Sequence, residues 1–349
     1  MKIALIHYRL VQKGGLERRL INYINCFHKR GYEVKVFASK RASNLDLPDG
    51  VEFIQVRLGI MPKMFRQWYF AKRLKKIMRA YSFDFTLSLG RTFSQSMVLD
   101  GGNHMGYMEC LGKKRKFPKD LLNIFLDQQA FAVSDTILAC SGFIKDFNIQ
   151  YYQTPKDKIK ILYPPINTTQ FNQSLRKNRA ALRAQFEISP QSTAFLFVST
   201  GHKMKNLSFL LQLFSQLENR PIELLIAGTP PKRRLPNNTR YLGYVKKPEL
   251  IYTAVDYTIH PALYEPFGQV VVESIQCGTP VIISKNVGAK EVVSDKEAVV
   301  VSSFSIKDWI AEIDALDKKK FEIHPSFAED RYLTLDQHID KILSIAQSA

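Results

Sequence analysis

His260-Pro261-Ala262-Leu263-Tyr264-Glu265-Pro266-Phe267-Gly268-Gln269-Val270-Val271-Val272-Glu273 is the stretch on which the fold of this chain turns. The run Tyr257 to His260 at its head predicts a buried strand. The residues after His260 predict a tight loop and then a helix from Pro266 or Phe267 to Cys277, with proline in the first helical turn. Gly278-Thr279-Pro280 then leads into another apolar strand, Val281 to Ser284. Strand, loop, helix and strand in that order make one unit of a parallel sheet. Amides at such a helix start have no intrahelical partner and face the crevice at the strand ends, which suits phosphate or sugar oxygens. Glu265 falls at the mouth and Glu273 two turns in, roughly 10 Å away. One carboxylate can accept hydrogen bonds from sugar hydroxyls and the other from a ribose. Single glutamates are mostly solvated surface residues; the Pro-Phe-Gly between these two and the Gly-Thr-Pro after them set the pair apart.

The same alternation extends in both directions. Towards the N-terminus it predicts strands at Ile3 to His7, Tyr32 to Ala38, Val51 to Val56, Phe85 to Leu89 and Thr136 to Ala139, with a helix over Leu16 to Phe27. Tyr163-Pro164-Pro165-Ile166-Asn167 interrupts it, since paired prolines continue neither a helix nor a central strand. After a polar, basic helix the pattern restarts with strands at Ala194 to Val198 and Glu223 to Ala227 and a helix over Leu207 to Leu217. Two successive runs predict two doubly wound α/β domains, 1–165 and 166–332, with a last helix, 333–349, free to pack back on the first. A length of 349 residues suits two cores.

Composition narrows the function classes. Hydrophobic residues at 45% and charged residues at 23% are those of a globular protein. Cys26, Cys110, Cys140 and Cys277 are scattered singly, with no zinc-ligand spacing and no disulfide framework, which suits a reducing cytoplasm. The N-terminal apolar run is too short for a signal peptide, and no run reaches the ~18 residues of a membrane span. The 50 Lys and Arg against 32 Asp and Glu leave a net charge of +18, which calls for an anionic partner. The cations concentrate in 63–79, where they interleave with Phe65, Trp68, Tyr69 and Phe70, and in Lys113-Lys114-Arg115-Lys116-Phe117-Pro118-Lys119. A basic amphipathic helix bearing aromatics suits an anionic membrane surface, although a helix packed on its own sheet with a solvated basic face has the same pattern. No nucleic-acid-binding signature accompanies the charge.

Glu265-Pro266-Phe267-Gly268 to Glu273, with Cys277-Gly278-Thr279-Pro280-Val281-Ile282, resembles the Glu-x7-Glu signature of retaining GT-B glycosyltransferases, the large family that includes bacterial lipopolysaccharide-core and mannosyl transferases. The resemblance covers nearly the whole chain and implies two Rossmann-like domains facing each other across a cleft. It implies that Glu265 meets the donor sugar and Glu273 the nucleotide ribose. Lys13-Gly14-Gly15-Leu16-Glu17 resembles the family's Gly-Gly-x-Glu loop beside the donor diphosphate, making Gly14 and Gly15 donor-site candidates, although paired glycines after a strand are also an ordinary turn signal. In Ser199-Thr200-Gly201-His202-Lys203-Met204-Lys205-Asn206, Lys205 matches the family's phosphate-neutralising lysine, and Lys203 stands where an arginine is usual. Asp100-Gly101-Gly102-Asn103-His104 resembles the segment whose histidine approaches the reacting sugar. Gly228 and Val245 resemble positions near the nucleotide base, and Phe267, Gly268 and Gln269 supply amides to the donor.

The resemblance thus implies a retaining, metal-independent transferase, no Asp-x-Asp pair being evident. Its donor is a UDP-sugar in preference to a GDP-sugar, and its acceptor a growing cell-surface glycan such as lipopolysaccharide core. The expected location is cytoplasmic, peripheral on the inner face of the plasma membrane. Other GT-B chemistry (a phosphorylase or a sugar-nucleotide epimerase) and non-catalytic binding of an anionic glycan or nucleic acid remain as alternatives.

Overall fold

The computed structural model describes residues 1–11 and 14–348. It contains two compact units. One comprises residues 1–163 and the C-terminal helix Leu335–Ser348; the other is Pro164–Thr334.

The first unit is built on a seven-stranded parallel sheet: β1 (Lys2–Ile6), β2 (Glu33–Ala38), β3 (Glu52–Gln55), β4 (Phe85–Ser88), β5 (Met97–Asp100), β6 (Thr136–Ala139) and β7 (Ile159–Ile161). Ile3, Ala4, Leu5 and Ile6 are all fully buried, as expected of a central parallel strand covered on both faces. α1 (Gly15–Lys29) buries Leu20, Tyr23, Ile24 and Phe27, a stripe at helical spacing, against one face. On the other face α2 (Arg66–Met78) lays Phe70, Leu74 and Met78 over Ala4, Ile6 and Phe37. α3 (His104–Cys110), α4 (Pro118–Val133) and α5 (Gly142–Tyr152) complete the unit. The C-terminal helix adds Ile339, Ile342 and Leu343 to the core that holds α1. Strand order runs β3-β2-β1-β4-β5-β6-β7, so the winding direction reverses between β1 and β4.

The second unit repeats the plan. α6 (Arg179–Gln185) precedes a six-stranded parallel sheet of β8 (Thr193–Ser199), β9 (Ile222–Gly228), β10 (Thr239–Gly243), β11 (Tyr257–His260), β12 (Val281–Ser284) and β13 (Ala298–Val301). The connecting helices are α7 (Leu207–Ser215), α8 (Pro248–Ala254), α9 (Gln269–Gln276) and α10 (Ile306–Asp314). The order β10-β9-β8-β11-β12-β13 places its reversal between β8 and β11. In an open α/β sheet, ligands bind beyond the carboxyl ends of the strands at such a reversal. The loop after β8 carries Lys205 and the loop after β11 carries Glu265.

The helix expected from Pro266 or Phe267 starts later, at Gln269. The backbone ahead of it bonds sideways instead of upward. The Glu265 N–H donates to the Asn286 carbonyl (3.1 Å), Gly288 N–H to the Glu265 carbonyl (3.0 Å), and Ala289 N–H to the Phe267 carbonyl. Residues committed to that bridge cannot open a helix, and Pro266 therefore lies in the loop. No helix of the described residues is long and apolar enough to cross a membrane.

Candidate active site

At the reversal of the second sheet, two side chains converge on one carboxylate oxygen. Glu265 Oε2 lies 3.1 Å from His260 Nε2 and 3.4 Å from Lys205 Nζ. Burial alone would raise the carboxyl, but the Lys205 charge and the His260 hydrogen bond outweigh it and hold Glu265 down at about 2. His260, fully buried at the end of β11, is pushed below its ordinary value by desolvation and is neutral at pH 7. Neither partner engages Oε1 of Glu265.

The backbone around this cluster is tied loop to loop. Leu263 N–H donates to the Met204 carbonyl at 2.8 Å, joining the loop after β11 to the one after β8. Gly268 caps α9 with φ +104°, and a Cβ there would lie 2.9 Å from Val287 and 3.3 Å from Glu265 Cγ. Only glycine accepts both that backbone and that approach. Gln269 donates through Nε2 to the Pro165 carbonyl at 2.9 Å, while its buried Oε1 has no hydrogen-bond partner among the described residues. Phe267 is buried beneath the loop. Two turns along, Glu273 is half-buried and its Oε2 accepts from the Tyr252 hydroxyl at 3.2 Å.

The other predicted positions of this unit fall around the same strand ends. Lys203 is exposed. His202, its neighbour, bridges Ser199 Oγ (3.0 Å) and the Thr229 carbonyl (2.9 Å), clamping the β8 loop to the end of β9. Gly228 closes β9 at φ +119°, where a Cβ would lie 2.2 Å from the Ser199 carbonyl oxygen. Val245 lies half-buried in the loop between β10 and α8. Glu265 and Lys205 thus meet where two loops join, and Phe267, Gly268 and Gln269 lead from there into α9, which carries Glu273; Lys203 lies in the β8 loop, Gly228 ends β9 and Val245 follows β10. Sequence reasoning did not single out His260, which contacts Glu265. The signal was an imidazole ending an otherwise apolar strand on the sheet's carboxyl side.

In the first unit the predicted residues follow two strands, Gly14 and Gly15 after β1 and His104 after β5. Gly14 caps α1 and Gly15 opens it; Lys13 lies outside the described residues. His104 opens α3, with its N–H on Asp127 (2.8 Å) and Nε2 on Asp120 (2.9 Å). Asp120 also accepts from Lys113 Nζ (2.6 Å), and these partners hold its carboxyl well below the usual range. Beside them is a cavity of about 200 Å³ lined by His7, Gln67, Arg91, Asp100, Gly101 and Asp127. Arg91 forks onto Asp127, which also accepts from the Tyr152 hydroxyl at 2.9 Å. Burial and the nearby Asp127 charge push Asp100 up to about 6. These lining residues come from several separate strand ends and helices, too dispersed for any local motif to announce them.

Comparison with known proteins agrees with this geometry. Residues 178–329 match the family model described as glycosyl transferases group 1, and residues 13–170 match the one described as glycosyltransferase family 4. A probable transglycosylase from Burkholderia thailandensis is 32% identical over 300 residues, 86% of this chain and 82% of that protein. The chain belongs to the GT-B glycosyltransferases. Among solved structures, WaaG, a glycosyltransferase involved in lipopolysaccharide biosynthesis, shares the fold with a TM-score of 0.78 at 17% identity, over 99% of this chain and all of that one. Anabaena HepE, solved in complex with UDP-glucose, gives 0.74 at 16% over the full length of both. This glycosyltransferase therefore has the GT-B pair of parallel-sheet Rossmann-like domains, with seven and six strands.

Proposed function

We propose that this glycosyltransferase moves a sugar from a nucleotide-sugar, UDP-linked in preference to GDP-linked, to a growing cell-surface glycan with retention of configuration. The observation that carries this is the Glu265–Lys205–His260 cluster at the reversal of the second sheet. There a charged carboxylate meets sugar hydroxyls while Lys205 neutralises the departing phosphate, assisted by the amides at the start of α9. Glu273, oriented by Tyr252, meets the ribose. No metal enters this scheme, because the charge of the leaving diphosphate is taken up by lysine and backbone dipoles. Lys203 borders the donor on the second unit, and Gly14 and Gly15 are proposed as donor-binding residues of the first. Gly228 and Val245 lie towards the base. His104 and the cavity of the first unit serve the acceptor side. UDP is favoured because HepE, of the same fold, was solved with UDP-glucose. A lipopolysaccharide-type acceptor is favoured because WaaG acts in that biosynthesis.

The acceptor side also has a surface suited to lipid. α4 turns two carboxylates, Asp120 and Asp127, inward and exposes Phe117 (60%), Leu121 (55%) and Phe125 (41%), one apolar row at helical spacing. Exposed Lys114, Arg115, Lys116 and Lys119 cluster at its start. Ahead of α2, Ile60, Met64 and Phe65 are exposed beside Lys63 and Arg66, whereas α2 itself packs its apolar stripe on the sheet. Apolar side chains among cations fit an anionic bilayer. The enzyme in this reading sits on the inner face of the plasma membrane and receives a glycolipid acceptor there.

The test is turnover. The protein is incubated with a panel of UDP- and GDP-sugars and a lipopolysaccharide-core acceptor, and the anomeric coupling of the product is read by proton NMR. Transfer from one UDP-sugar with the donor's own configuration supports the proposal. Inverted product, or transfer only when inorganic phosphate is the acceptor, contradicts it.

A further inference from the structure

We infer that His260 is a positioning residue that fixes which oxygen of Glu265 meets the donor sugar. The inference rests on the nucleotide-sugar reading above and adds to it a side chain that touches neither substrate nor solvent. His260 is fully buried, its ring 6.2 Å from that of Phe197. Among the described residues its Nδ1 has no hydrogen-bond partner, and its one hydrogen bond is Nε2 to Glu265 Oε2 at 3.1 Å. Burying an imidazole with one nitrogen unsatisfied costs free energy that a phenylalanine of similar shape does not. What the site gains in return is the bond to Glu265.

That bond has a defined sense. A neutral imidazole facing a carboxylate through Nε2 carries its proton there, so Nε2–H donates and Nδ1 is bare. The main chain of Glu265 is already pinned on both sides by the 286–288 segment. With Oε2 committed, the carboxylate plane is set and Oε1 is the oxygen offered to a hydroxyl. Lys205 shares Oε2 at 3.4 Å. A diphosphate drawing Lys205 onto itself removes one of the two holds. His260, out of reach behind the carboxylate, keeps the other through the exchange, and no proton has to move.

Two variants separate positioning from packing. His260→Phe keeps the volume and removes the donor; His260→Gln places an amide N–H near the position of Nε2. Against the nucleotide-sugar the wild type uses, His260→Phe should lower kcat about 10- to 100-fold with KM within about threefold, the cost of a misplaced group. It should melt no lower than wild type and bind the free nucleotide equally well, while His260→Gln recovers most of kcat. Wild-type kcat in His260→Phe, or equal loss of kcat and melting temperature in both variants, overturns the inference. An independent arm uses nitrogen-15 imidazole NMR on the protein without ligand. The Nε2–H tautomer is expected between pH 6 and 8, with that proton shifted in Glu265→Gln; an Nδ1–H tautomer overturns the inference whatever the donor. A wild-type protein inactive with every nucleotide-sugar instead overturns the functional reading itself, and the two failures are told apart.

Discussion

Glu265 keeps its charge in a buried setting because Lys205 and His260 together outweigh the desolvation penalty. Its position depends as much on the residue three places on. Gly268→Ala puts a methyl against Val287 and Glu265 Cγ at a positive φ, so it should cost about 1–3 kcal/mol of stability. It should also displace the carboxylate, lowering kcat with the donor at least about tenfold. Chemical denaturation and steady-state kinetics on the variant check both, and an unstrained, fully active Gly268→Ala protein would contradict this placement. The places of Glu265, Glu273 and Lys205 in the fold were legible in the sequence because strand-loop-helix punctuation brackets them. His260 was not, because an isolated histidine after apolar residues looks the same whether it packs or holds a partner. The contact appears only when the loop after β11 folds the carboxylate back onto it.

At the scale of elements, α4 and the C-terminal helix each have a measurable consequence. Leu121 and Phe125 are exposed, so replacing both by serine should leave folding intact. Partial insertion of two such side chains into a bilayer contributes about 2 kcal/mol, so the double variant should bind anionic vesicles about thirtyfold less than wild type. Vesicle sedimentation with phosphatidylglycerol gives the ratio, and undiminished binding would remove α4 from the membrane face. The basic composition of 113–119 was legible in the sequence. That α4 turns Asp120 and Asp127 inward and Leu121 and Phe125 outward was not, since hydrophobic periodicity marks a stripe without saying which way it faces.

The C-terminal helix is joined to α1 by Tyr23, whose hydroxyl donates to His338 Nε2, and to the chain at the unit's edge by His338 Nδ1–H on the Tyr163 carbonyl at 2.8 Å. Burial, with the Arg19 charge, pushes His338 down to about 3. A histidine depressed in the folded state contributes stability that is complete above its unfolded pKa and is lost as pH falls towards the folded one. Between pH 7 and 5 it should therefore withdraw about 2 kcal/mol from the first unit. Urea unfolding at both pH values should show this loss in wild type and not in His338→Gln; equal losses in the two would contradict it. The packing of this helix on the first unit was left open by its sequence. The apolar stripe of Ile339, Ile342 and Leu343 fits any groove, and the side chains that select this one lie about 300 residues earlier, at Tyr23 and Arg30.

Taken whole, the chain is two sheets wound on one plan, with Lys205 and Glu265 following the two strands that flank the reversal of the second. Most strands of both sheets could be read directly from the sequence. Met97–Asp100, Ile159–Ile161, Thr239–Gly243 and Ala298–Val301 were not anticipated as strands; Lys160 and Arg240 interrupt two of them, and pairing in the sheet rather than their own pattern makes them strands. The net charge of +18 agrees with a protein that handles a diphosphate donor and an anionic surface. The central claim, that the second unit grips a nucleotide-sugar by two glutamates with divided duties, is tested most directly by calorimetric titration of the full-length protein and two variants. We expect Glu273→Ala to lose affinity for both UDP and the UDP-sugar, and Glu265→Ala to bind UDP as wild type does while losing the added affinity of the sugar. Equal binding of both ligands by all three proteins would contradict it.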